Sequence, residues 1–149
     1  MKAALSVALA LLLAACSEST GPGGDLRVET DKSAYSLPGG PGVPSALVKY
    51  TVRNTGSETV ALPNCGEAIS GELQRREGGE WVTVGGSGVC PAFAIYAPVV
   101  LAPGEEASGQ TAVGVAGQYR ILVRVADEVG AEFASQALSP DFTVRWLED

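Results

Sequence analysis

The chain has 149 residues, with 10 Lys and Arg against 17 Asp and Glu, and it contains no histidine. That absence removes Ser-His and Cys-His catalysis, His-ligated zinc and the commonest general base together. A net charge of −7 is repelled by phosphate backbones and anionic headgroups, which argues against nucleic-acid binding and against electrostatic docking on a membrane.

Lys2 is followed by an apolar run at residues 3–13 and then by the small residues Ala14 and Ala15 before Cys16. This is the three-part layout of a secretory signal. Eleven residues rising about 1.5 Å each span about 16 Å, against a hydrocarbon core of about 30 Å, so the segment is too short to stay as a membrane helix and is expected to be removed. Leu13, Ala14, Ala15 and Cys16 resemble the lipobox of bacterial lipoproteins, in which the cysteine thiol receives a diacylglyceryl group and a dedicated peptidase cleaves before it. The resemblance implies lipidation of Cys16 and a lipid-anchored place in the cell envelope, at the outer membrane of a Gram-negative cell because Ser17 is not an aspartate. Two or more acyl chains, at about 0.8 kcal/mol per buried methylene, make such an anchor stable. Loss of Lys2 with the signal leaves 9 basic and 17 acidic residues, a mature charge of −8, so membrane association rests on the lipid alone. Residues 17–24 are polar and Gly-rich and read as a flexible linker. The expected organisation is a signal peptide at 1–15, a lipidated N-terminus and linker at 16–25, and one domain at 26–149.

Three cysteines become an even pair once Cys16 carries lipid, and a disulfide between Cys65 and Cys90 is expected in an oxidising compartment. Closing that interval stabilises the fold by about 3.5 kcal/mol in the chain-entropy picture. A redox-active or metal-binding pair would call for a C-x-x-C spacing or a histidine partner, and neither is present.

From residue 26 onward, apolar and polar residues alternate with a period of two, and no stretch keeps a 3.6-residue stripe; the pattern is all-β. Leu26 and Val28 alternate with Arg27 and Glu29. Val48, Tyr50 and Val52 alternate with Lys49, Thr51 and Arg53, and Asn54, Thr55, Gly56 and Ser57 supply turn chemistry, with Gly56 free to take positive φ, before residues 59–62 resume; this predicts a hairpin. A second hairpin is predicted from residues 72–76 and 81–84 around the charged tip at 77–80. Residues 94–101 are interrupted by Pro98 and read as an edge strand or ordered loop. Pro103 and Gly104 turn the chain into residues 105–113. Tyr119, Ile121, Val123 and Val125 form the strongest strand, with a return from Ala131 that breaks at Ser139 and Pro140, marking a bulge or register break, and resumes as Phe142, Val144 and Trp146. Tyr119 is expected to be either a tyrosine corner or a plain core tyrosine. Seven or eight short strands in a domain of about 124 residues predict an immunoglobulin-like two-sheet antiparallel sandwich.

Residues 52–60 (Val, Arg, Asn, Thr, Gly, Ser, Glu, Thr, Val), residues 101–105 (Leu, Ala, Pro, Gly, Glu) and residues 117–120 (Gly, Gln, Tyr, Arg) resemble the immunoglobulin-like domains of bacterial envelope lipoproteins. A similar order occurs in the BsuPI-type intracellular proteinase inhibitor domain, itself an immunoglobulin-like sandwich, although this chain reads as exported. The resemblance consists mostly of turn punctuation and implies fold more than activity.

Candidate chemistry is sparse. The mature lysines, Lys32 and Lys49, read as solvated surface, and no methionine remains after the first residue. Neighbouring carboxylates at Glu105 and Glu106 and at Asp127 and Glu128 point to opposite faces wherever they are on strands, unlike the facing pair of a glycosidase. Asp127, Glu128 and Glu132 lack calcium-loop spacing, and the Gly-rich residues 85–88 have no following helix or lysine to cradle phosphate. No enzyme and no cofactor is expected. Trp81 and Trp146 are expected in the core; an exposed tryptophan would favour a binding patch. The loops carrying Pro38, Pro41 and Pro44 and carrying Phe93 and Tyr96 are the expected contact surfaces. The expected function is a non-enzymatic binding or structural role toward an envelope protein or glycan, with loop-mediated peptidase inhibition of BsuPI-like type as the alternative.

Overall fold

The computed structural model describes residues 25–38, 45–66, 68–86 and 96–147. Two sheets, antiparallel except for one pair, face each other. The first has the order β1 (Leu26–Thr30), β3 (Ala46–Asn54), β8 (Glu106–Val113). The second has the order β2 (Ala34–Leu37), β11 (Phe142–Trp146), β9 (Gly117–Val125), β5 (Glu72–Glu77), β6 (Glu80–Gly86), with β10 (Ser135–Leu138) also on β9. A short ladder of β4 (Val60–Leu62) and β7 (Val99–Leu101) lies apart from both. Among the described residues, only β2 and β11 pair in parallel, Thr143 opposite Ala34.

The N-terminal chain contributes to both sheets, β1 to the first and β2 to the second, and Asp31 fixes the crossover. Its Oδ1 accepts from the Tyr35 hydroxyl at 2.6 Å and from the Lys49 N–H at 3.1 Å, while its own N–H donates to the Lys49 carbonyl at 3.0 Å. This early strand shared between sheets, together with the strand orders, is that of an immunoglobulin-like sandwich.

Alternation is what makes the sandwich. Val48, Tyr50 and Val52 on β3 and Ile121, Val123 and Val125 on β9 are all buried, from opposite walls of one core. Phe142 packs edge-on against Tyr35 at 5.4 Å and stacks with Tyr119 at 5.8 Å. The Tyr119 hydroxyl donates to the carbonyl of Val115, four residues upstream, at 2.7 Å. Of the two expected roles, it takes the tyrosine corner.

The hairpin expected after β3 does not form. Asn54 is fully buried: its Nδ2 donates to the carbonyls of Glu58 at 2.7 Å and Leu101 at 3.0 Å, and its Oδ1 accepts from the Gly56 N–H at 3.0 Å. The side chain thereby substitutes for backbone partners and steers the chain away from β3, so β4 pairs with β7 and bridges β9 at Ala61 and Ala126. Gly56 is not at positive φ; it is confined instead because a Cβ there would lie 2.6 Å from the Cβ of Asp25. The second hairpin forms as expected, its two-residue turn made by Gly78 at φ 57° and Gly79 at φ 96°.

The described residues form eleven strands rather than seven or eight, because β2 lies between β1 and β3 and the return after β9 divides into β10 and β11. The return after β9 begins at Ser135 rather than Ala131. It continues past Pro140 along the same edge of β9: Leu138 opposes Leu122 and Phe142 opposes Tyr119, so four steps on one strand match three on the other, which is a bulge. Ser139 holds it, its N–H donating to the Ile121 carbonyl and its Oγ accepting from the Ile121 N–H, both at 2.9 Å.

Candidate functional site: an arginine and tryptophan face

Neither tryptophan is in the core. Trp146 is 52% exposed. Alternation would turn it inward with Phe142 and Val144, but the pairing of β11 with β9 ends at Val144 and Gly117, so Trp146 extends past the wall that would cover it. Trp81 is half-buried on the outer face of the second sheet, because the Gly78–Gly79 turn pairs it with Arg76, whose side chain faces outward.

Register builds the surface around Trp81. Gln74 opposes Arg120 on β9 and Thr83 on β6, so Gln74, Arg76, Trp81, Thr83 and Arg120 share one face. The Arg120 guanidinium carbon lies 4.4 Å from the indole centroid and that of Arg76 lies 5.4 Å from it. Arg120 Nε donates to Gln74 Oε1 at 2.8 Å, and Gln74 Nε2 to Thr83 Oγ1 at 3.4 Å. Arg124 is matched by Glu72 at 2.6 Å, and Gln118 donates to Asp141 at 2.9 Å. Partial burial lowers the pKa of Arg120, Asp141 opposes that, and the like charge of Arg76 adds to it. The guanidinium still stays charged at neutral pH.

The residues expected to carry contacts are scattered or undescribed. Pro38 is exposed just after β2, and Tyr96 is 40% exposed ahead of β7, on a different sheet. Pro41, Pro44 and Phe93 lie outside the described residues, as do Cys16 and Cys90. Cys65 is half-buried in the turn after β4, its N–H donating to the Ala68 carbonyl at 3.2 Å. Glu105 Oε2 accepts from the Ala102 N–H at 2.9 Å and so closes a turn. Asp127, Glu128 and Glu132 are exposed, and no cluster of acidic or cysteine side chains fit for a metal ion occurs among the described residues. A depression of about 670 Å³ beside β1, β3 and β8 is lined by Glu29, Asp31, Lys49 and Glu106, but its Asp31 carboxylate is committed to Tyr35 and Lys49. No helix among the described residues is long and apolar enough to cross a membrane.

Arg76 and Trp81 were within reach of sequence reading, since the double-glycine turn sets their pairing. Arg120 was not. Its place beside them depends on β5 pairing with β9, a contact between segments 46 residues apart at Gln74 and Arg120.

No family model matches the chain, and no curated protein matches it. Among solved structures it is similar to the Northeast Structural Genomics Consortium target SoR45, at 16% identity and a TM-score of 0.48, over 84% of this chain and 89% of that one. It is also similar to the ASH/PapD-like domain of human CEP192 (PapD-like domain 7), at 11% identity and a TM-score of 0.34, over 97% and 94% of the two chains. The immunoglobulin-like assignment rests on strand order and register.

Proposed function

We propose that this chain is a non-enzymatic binding module of the bacterial cell envelope, tethered through lipid on Cys16 and meeting its partner with the outer face of β9, β5 and β6. One observation carries the contact surface: two guanidinium groups ordered against a half-buried indole on an open sheet face, with no carboxylate paired to either among the described residues. Tryptophan and arginine are the residues that dominate the energetics of protein contact surfaces. The absence of histidine and the commitment of the Glu105 carboxylate to a turn support a role in binding over catalysis. The tether is supported by the order of apolar run, small pair and cysteine at residues 3–16.

A peptidase inhibitor would present a loop to a cleft. The unmatched groups here stand on strands of a sheet face rather than on a loop, which favours a surface-to-surface partner. Photo-cross-linking in cells tests this. A photoreactive amino acid in place of Thr83 should give discrete adducts, and the same group in place of Lys49, on the outer face of the other sheet, should not. Equal yields from both positions, or none from Thr83, would reject the assignment.

A further inference from the structure

We propose that Arg76, Trp81 and Arg120 form a clamp for carboxylates on an acidic segment of a partner protein. The inference rests on the reading of this face as the contact surface.

Charge points to the ligand's sign. In a chain of net charge −7, the outer face of the second sheet gathers Arg76, Arg120, Arg124 and Arg145 against Glu72 and Asp141. Glu72 is occupied by Arg124, and Asp141 accepts from Gln118. Arg76 and Arg120 have no ion pair among the described residues, and only the Nε of Arg120 is hydrogen-bonded, to Gln74. The terminal nitrogens of both side chains therefore form a fork suited to carboxylate oxygens. Stacking on the indole orders these long side chains before any ligand arrives, which reduces the entropy lost on binding.

Spacing and chemistry point to a peptide. Both guanidinium carbons lie near one indole, at 4.4 and 5.4 Å from its centroid. They are therefore within about 10 Å of each other, a span that admits carboxylates at alternate positions of an extended strand, about 6.6 Å apart. A sugar ring would need a bare aromatic face to stack on, and here guanidinium groups lie over the indole.

The test uses the full mature chain, lipid included, in neutral detergent micelles, in a Trp146→Phe background so that fluorescence reports Trp81. The probe is a peptide of ten glutamates. Saturable quenching of Trp81 is expected, weakened about tenfold in Arg76→Gln and in Arg120→Gln, with Arg124→Gln, already paired to Glu72, within about twofold of the parent. The Arg76 side chain makes no hydrogen bond among the described residues, so its variant keeps the test valid even if Arg120→Gln fails to fold. No saturable quenching, equal weakening in all three variants, or tighter binding of polygalacturonate than of the peptide would overturn the clamp. If the clamp fails while Thr83 still cross-links and Lys49 does not, the partner's chemistry is wrong and the contact face stands. If Thr83 does not cross-link either, both fall.

Discussion

Gly109→Ala is a demanding test of the core. Gly109 lies on β8 opposite Tyr50 of β3, and a Cβ built on it would stand 2.3 Å from both Cζ and Oη of Tyr50. Tyr50 cannot swing away freely: it is 1% exposed, and its hydroxyl donates to the Ile69 carbonyl at 3.0 Å. Accommodating the methyl group means shifting the ring, an overpacking cost of about 2–3 kcal/mol, and giving up that hydrogen bond for about 1 kcal/mol more. A loss of about 3–4 kcal/mol is large against the 5–15 kcal/mol typical of a domain, and at about 3–5 °C per kcal/mol it lowers Tm by about 10–20 °C. Urea unfolding of the variant gives the value directly. A double-mutant cycle assigns the cause: in a Tyr50→Leu background, Gly109→Ala should cost less than about 1 kcal/mol, a coupling of about 2–3 kcal/mol. The reasoning is refuted if the substitution costs under about 1 kcal/mol in the parent, or the same in both backgrounds.

Tyr119→Phe keeps the stack on Phe142 and deletes the hydroxyl bond to Val115, so urea unfolding should show a loss of about 1 kcal/mol. For Tyr35, burial and then the hydrogen bond to Asp31 push the pKa from 10.0 up to about 12. A folded pKa above the unfolded one contributes stability that is complete below pH 10 and lost as pH rises toward 12. Tyr35→Phe should therefore flatten the alkaline limb of a stability-versus-pH curve between those values, and an unchanged slope would count against the Asp31 contact. Cys16→Ala should move the protein from the membrane fraction to the soluble fraction on cell fractionation; unchanged retention would count against the lipid anchor. A Cys65–Cys90 bond should leave both thiols unalkylated without reductant, and its reduction should cost about 3.5 kcal/mol on denaturant unfolding.

The two walls of the core were legible because alternation is a local property: Val48, Tyr50 and Val52, and Ile121, Val123 and Val125, face inward where the period of two puts them. The tight turn at Gly78 and Gly79 and the break at Pro140 were legible for the same reason, since each follows from backbone chemistry at one or two residues. What could not be read depended on distant partners. Asn54 has the composition of a hairpin turn, but its bond to the Leu101 carbonyl spans 47 residues and redirects the chain. Trp146 has the phase of a core residue and lacks only the neighbouring strand that would cover it. The candidate face was half legible, with Arg76 and Trp81 set by a local turn and Arg120 brought in by a pairing across the domain.

The bulge at Pro140 also sets the parity of the C-terminal strand. Ala137 and Ser139 are buried on one side of it and Phe142 and Val144 on the other, an odd step that a regular strand would not allow. By absorbing the extra residue, the bulge returns Phe142 to the interior, where it meets Tyr35 and Tyr119. Replacing Pro140 is thus a different kind of change from deleting it. A replacement keeps the residue count and with it the need for a bulge, whereas a one-residue deletion would set three steps against three, so that simple alternation from Ser139 would carry Phe142 and Val144 inward with no bulge. Chain length at this point decides whether the strand must bulge, and the bulge decides which side chains reach the core.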